Sequence, residues 1–153
     1  MSDVMKIGGK TPSNTVKGVN VDANGNLITS RLWDESILTL YSDSVADTSE
    51  KRTVNTDLSS YPLVSLRITN RTGVSVKVTP LVDLYNTDNG YSLTDIDGSE
   101  LSFEVAPNNA FAIITPVEAP WLNYVKYLRF KFRALETPSA DTPTLSIYAV
   151  VRK

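Results

Sequence analysis

Between Val125 and Leu135 apolar and polar residues alternate strictly: Leu128, Phe130, Phe132 and Ala134 fall on one face, and Arg129, Lys131 and Arg133 on the other. A period of two is the signature of a β-strand with one face buried. Leu145, Ile147, Ala149 and Val151 repeat the pattern near the end of the chain, which predicts a C-terminus tied into a sheet and not a loose tail. The same alternation runs through Val64, Leu66 and Ile68, and again through Val74, Val76 and Val78, with Asn70-Arg71-Thr72-Gly73 between them. The expected product is an antiparallel hairpin with one face in the core. Pro80 lies inside the longer run to Tyr85 and argues for an edge, a bulge or a bend, because proline cannot donate to a strand ladder.

Shorter strands are expected at Ile37 to Tyr41, around Arg52 to Val54, and at Tyr91 to Leu93, Leu101 to Val105 and Phe111 to Thr115. Turn residues separate them: Asp88-Asn89-Gly90, Asp97-Gly98, Ala106-Pro107-Asn108-Asn109, and the prolines Pro116 and Pro120. The polar stretch from Ser42 to Ser60 reads as a long mobile connection. Val19 to Val21 and Leu27 to Thr29 flank Asn24-Gly25, which supplies the positive φ of a tight hairpin. Before them, residues 1–18 hold Gly8-Gly9, Thr11-Pro12 and only isolated apolar positions, an irregular N-terminal arm. Eight or nine short strands without a helical period of more than two turns predict an all-β antiparallel sandwich, jelly-roll-like, as one domain over residues 19–153.

Composition narrows the chemistry. The 153 residues contain no His and no Cys. Imidazole and thiolate are the commonest general base and the softest metal ligand, so Ser-His-Asp hydrolysis, cysteine nucleophiles and His- or Cys-based metal sites are excluded. The expectation is a protein without catalytic residues, cofactor or metal. A net charge of -2 gives no electrostatic reason to expect nucleic acid or an anionic membrane as partner. Met1 to Lys10 lacks the apolar core of a secretory signal, and no stretch approaches the ~20 apolar residues of a membrane span. A soluble, unprocessed chain is expected.

Several constellations carry two readings. Asp95, Asp97, Gly98 and Glu104 fall at EF-hand places, but Leu93 occupies the first, so an Asp-Gly hairpin turn is the better account. The acids Asp83, Asp88, Asp95 and Asp97 sit in turn contexts where they bond local backbone, which makes a glycosidase pair of carboxylates a poor expectation. Trp121 and Tyr124 lie beside turns and are candidate stacking residues for a sugar; the alternative is that Trp121 plugs an open end of the sandwich. Arg129, Lys131 and Arg133, joined by Arg67 and Lys77 on neighbouring strands, form either a basic face for an acidic partner or a solvated sheet face. The arm, with Val4, Met5, Ile7 and Val16, is either a disordered terminus or a segment that orders on another subunit.

The run Val19-Asn20-Val21-Asp22-Ala23-Asn24-Gly25-Asn26-Leu27-Ile28-Thr29 ahead of a β-rich body resembles small tailed-bacteriophage virion proteins, in which a polar arm precedes a sandwich. Pro62 to Asn70 and Trp121 to Phe130 are similar in style to capsid-decoration, head-fibre and tail-accessory domains. The resemblance implies a non-enzymatic structural protein of the virion, assembled in the host cytoplasm. It further implies a homo-oligomer, a trimer above all, that docks on a capsid or tail protein through the arm or one sandwich edge. The alternative is a carbohydrate- or receptor-binding module of a tail or fibre, with a surface glycan as partner.

Overall fold

The computed structural model of the chain describes Asn24 and residues 35–83, 85, 90–107 and 111–153. The chain divides into two units, Met1–Trp33 and Asp34–Lys153, and all described strands belong to the second. The expected hairpin at residues 19–29 and the arm residues Val4, Met5, Ile7 and Val16 lie outside the described residues.

Ten strands are found among the described residues: β1 Glu35–Ser44, β2 Lys51–Arg52, β3 Thr56–Asp57, β4 Leu63–Arg71, β5 Val76–Asp83, β6 Tyr91–Ser92, β7 Phe103–Val105, β8 Phe111–Ile114, β9 Tyr127–Ala134 and β10 Thr144–Arg152. One 3-10 turn, Pro120–Asn123, stands between β8 and β9. The first sheet has the order β1-β10-β4-β8; in the second, β2 and β3 pair with β9, β9 with β5, and β5 with β6 and β7. All pairings are antiparallel.

Two of the second sheet's strand positions are interrupted. β2 and β3 pair with successive parts of β9, and the gap is filled by Thr53, whose N–H donates to Phe130 O (2.9 Å) and whose Oγ1 accepts the Phe130 N–H (2.9 Å). β6 and β7 likewise pair with successive parts of β5, and Pro80 falls between the two stretches. β5 is therefore an inner strand, and its proline sits where the neighbouring ladder is already broken. Counting each interrupted pair as one position gives eight strands ordered 1-8-3-6 and 2-7-4-5, which is the jelly roll.

This order corrects one expectation. β4 and β5 do not form a hairpin: β4 pairs with β10 and β8, while β5 pairs with β9, so the turn between them is an arch from one sheet to the other. Alternation fixes which face of a strand is buried, and a hairpin and an arch bury the same face. The arch is held by Asn70, fully buried, whose Nδ2 donates to the carbonyls of Val74 (2.8 Å), Val105 (2.9 Å) and Ala106 (3.1 Å). Its Oδ1 accepts the Thr72 N–H (3.0 Å) and hydroxyl (2.8 Å). Gly73 follows with φ 83°, a left-handed conformation open to glycine.

The core lies between the sheets. Val64, Leu66 and Ile68 from β4, Leu145, Ile147, Ala149 and Val151 from β10, and Val76 and Val78 from β5 meet Leu128, Phe130, Phe132 and Ala134 from β9. Burying a side chain of the size of Phe130 or Phe132 stabilises by about 1.5–3 kcal/mol. Tyr41 packs edge-on against Phe132, ring centroids 4.6 Å apart. The register of β1 slips between Thr39 and Tyr41, a bulge on an edge strand that turns Leu40 into the core. β10, the last element of the chain, is an inner strand flanked by β1 and β4, as its apolar pattern predicts.

Candidate functional site

Lys77 from β5 and Lys131 and Arg133 from β9 share the outer face of the second sheet, with Lys77 directly opposite Arg133. Arg129 belongs to the same face but is 8% exposed, covered by the chain at Gly90. A Cβ on Gly90 would come within 3.0 Å of Arg129 Nε and 3.1 Å of Leu81 Cβ, so a glycine is what lets that loop lie so close. Lys131 Nζ is 2.6 Å from a Glu100 carboxylate oxygen, which also accepts the Ser92 hydroxyl at 2.7 Å. These two bonds, that of Lys131 first, hold the Glu100 carboxyl below its ordinary range. The shallow groove here, about 240 Å³, is lined by Glu50 and Glu100 as well as by the three cations.

The expected basic stripe is thus broken. Arg129 is withdrawn, Lys131 is paired, and Arg67 stands on β4 in the other sheet, far from joining the row. The Asp97-Gly98 hairpin between β6 and β7, closed by the Thr94–Glu100 bridge, is expected from its turn residues; what the sequence does not show is that it brings Glu100 over β9 to meet Lys131.

Trp121 and Tyr124 do not converge. Trp121, on the 3-10 turn, is half-buried, packs on the core and lines a groove between β7 and β8. Tyr124 is 80% exposed and lines a different depression, with Leu58, Tyr61 and Pro62. Trp121 therefore has one side on the core and one side on an open groove, and the two rings stand at separate places.

The β7–β8 side is the apolar side of the sandwich. Its groove, about 350 Å³, has Leu101, Phe103, Ala112, Ile114 and Trp121 along it, with Glu104 and Glu118 at the margins. Val117 is 85% exposed, and Ile113, on the opposite face of β8 from Ala112 and Ile114 and across from Arg67, is 59% exposed. β8 pairs with β4 on one side, and among the described residues no strand pairs with its other edge. The sequence of β8, Phe111-Ala112-Ile113-Ile114, has none of the charges or prolines with which edge strands are usually guarded.

The outer face of the first sheet carries a second polar constellation, one that sequence reading did not single out. In register, Arg67 stands opposite Tyr148, Thr69 opposite Ser146, and Arg71 opposite Thr144. These residues line a depression of about 320 Å³ closed at one end by Ile37 and Val150. The Ser42 and Ser146 hydroxyls are 3.2 Å apart. Hydrogen bonds from Ser42 and Ser146, and then the nearby charges of Arg67 and Arg71, hold the Tyr148 phenol below its ordinary pKa. The signal was present as the polar half of two alternating strands; only register brings the halves together.

The turn acids act on their own backbone. Asp47, Asp57 and Asp97 each accept the N–H and hydroxyl of the serine two residues on, Ser49, Ser59 and Ser99. Gly98, with φ 85°, completes the Asp97 turn as a hairpin. Among the described residues no group of three or more acidic, His or Cys side chains gathers as a metal site would require, and no helix is long and apolar enough to cross a membrane.

No protein-family model matches the chain, and no curated protein matches it. Among solved structures it is similar to the crystal structure of SPBc2 prophage-derived protein YomS, with 12% identity over 80% of this chain and 96% of that one and a TM-score of 0.46.

Proposed function

We propose that this chain is a non-enzymatic virion structural protein, a capsid decoration protein that binds an assembled shell as a homo-oligomer, a trimer above all. The observation that carries the reading is the apolar β7–β8 side, with its groove of Leu101, Phe103, Ile114 and Trp121, the exposed Val117, and the exposed Ile113 on the opposite face of β8. An uncharged strand edge flanked by apolar surface on both sides is a protein-docking surface in chemical terms, and left uncovered it is an aggregation hazard. The jelly-roll order is compatible with this role, since capsid domains are built on it, but lectins and cupins are too, so the fold alone does not choose.

Light scattering on the purified chain, followed by co-sedimentation with capsids and with tails of the virus that encodes it, tests the reading. The expected result is an oligomer that pellets with capsids, and a Val117→Asp, Ile113→Asp variant that is folded but no longer pellets. A strict monomer that pellets with neither capsids nor tails overturns it.

A further inference from the structure

We infer that the outer face of the first sheet is a binding site for an acidic oligosaccharide, gripped by Arg67 and Arg71 across a floor of hydroxyl groups. This goes beyond the docking role and uses a different surface chemistry. Arg67 and Arg71 are four residues apart on β4 and so share a face, about 13 Å apart along the strand at about 3.3 Å per residue. A face of that length, with both guanidiniums near the Tyr148 phenol, admits an extended anionic ligand that also meets the hydroxyls between the two strand positions.

Between the two arginines the sheet presents hydroxyls. Thr69 stands beside Ser146, Thr144 lies opposite Arg71, and the Tyr148 phenol opposite Arg67, all half-buried and held in place by strand pairing. Hydroxyls both donate and accept, which suits a polyhydroxylated ligand, and the planar guanidinium pairs with a carboxylate through two parallel hydrogen bonds. None of the residues that line the depression is acidic. The nearest strand-end carboxylate on this face, Glu35, is itself bonded to Arg152 at 2.9 Å.

Two other anionic occupants fit less well. The buried centre of a protein interface is enriched in aromatic residues, Met and Arg and depleted in Ser; Arg67, Arg71 and Tyr148 would suit one, but the apolar residues here, Ile37, Val150 and Ile113 opposite Arg67, stand at the margins and the floor between is Ser and Thr. Nucleic acid is bound mainly by many phosphate contacts from a broad basic surface, and this chain has a net charge of -2 with a pI near 5.1.

The test is calorimetric titration of the full chain with tetragalacturonate, with the methyl-esterified neutral tetramer, with a polyglutamate peptide and with single-stranded DNA. Binding of tetragalacturonate that weakens with added salt, falls at least tenfold in Arg67→Gln, Arg71→Gln, and is lost for the neutral tetramer is the expected result. The Tyr148→Phe variant, which keeps the ring and removes the hydroxyl, is expected to weaken binding severalfold. Both arginines are exposed, and an unchanged circular dichroism spectrum separates lost binding from lost fold. Val117→Asp is expected to leave the titration unchanged; Ile113, which stands opposite Arg67 across the β4–β8 pair, is kept as it is in this test. Equal or tighter binding of polyglutamate or DNA, no binding of tetragalacturonate, or undiminished binding by the double arginine variant overturns the inference.

Discussion

Replacing Asn70 with alanine removes the side chain that holds the arch between β4 and β5, and the loss can be followed group by group. Asn70 is 0% exposed, and its amide serves Val74, Val105 and Ala106 carbonyls while its oxygen takes both the N–H and the hydroxyl of Thr72. In the alanine variant Val74 O keeps a donor, the Thr72 hydroxyl at 2.9 Å. Val105 O loses the side-chain donor that anchors it to the arch, and the Thr72 N–H loses its acceptor. Ala106 O also loses a donor but Ala106 is exposed to water; a buried polar group left without its partner costs about 1–3 kcal/mol, so the two buried ones put the expected destabilisation at about 2–6 kcal/mol, about 4 at the middle of that range. For a chain of this length that is a fall in Tm of about 10 °C. Urea titration followed by tryptophan fluorescence and by far-ultraviolet circular dichroism measures it. Asn70→Asp sharpens the test, because a carboxylate has the same shape but faces three carbonyl oxygens without a proton to offer. Its folded pKa is then raised above the unfolded value near 4. The carboxyl's contribution is intact below that unfolded pKa and is lost as pH rises toward the folded one, so the aspartate variant is the weaker of the two at pH 7 and gains on the alanine variant on acidification. A loss below about 1 kcal/mol for the alanine variant, or an aspartate variant as stable as the parent at pH 7, would refute the account.

Gly73→Ala is expected to cost about 2–4 kcal/mol by the same urea assay: φ is 83°, and the new Cβ would run into Ser139 Oγ and come within 2.9 Å of Ala140 N. The Asp47, Asp57 and Asp97 carboxyls are held below their ordinary values by the Ser49, Ser59 and Ser99 hydroxyls, so their contribution is present above the unfolded pKa and lost as pH falls through the folded one. Acid titration by NMR is expected to find all three midpoints below the ordinary aspartate value. Ser99→Ala, which removes one of the hydroxyl donors, should raise the Asp97 midpoint; unshifted midpoints would contradict the turn geometry.

Much of the fold was legible because alternation is a local property. Leu128 to Ala134 and Leu145 to Val151 announce their buried faces without any knowledge of a partner, and the structure buries those faces. Pairing is not local. The segments around Ile68 and Val76 satisfy a hairpin as well as an arch, and the choice depends on carbonyls of Val105 and Ala106, more than thirty residues away, that Asn70 can reach only once β7 is in place. The candidate surfaces show the same division. Arg129, Lys131 and Arg133 were correctly assigned to one outward face, yet the loop at Gly90 covers the first and Glu100 occupies the second. Arg67 and Tyr148 carried no joint signal, since nothing in either strand says that the two will stand side by side.

The inner position of β10 has a consequence for how the protein is made. β1 has β10 as its strand neighbour in the first sheet, and β4 reaches β1 only through it. While the ribosome is still translating residues before Thr144, the nascent chain holds both strands with that flank unpaired, and the first sheet closes only after Arg152 has emerged. Closure of the first sheet is therefore a long-range step, which slows folding and leaves open strand edges exposed to other nascent copies. Until this nine-residue strand is in place, the open flanks of β1 and β4 are where a chaperone, or a premature partner, would have its opportunity.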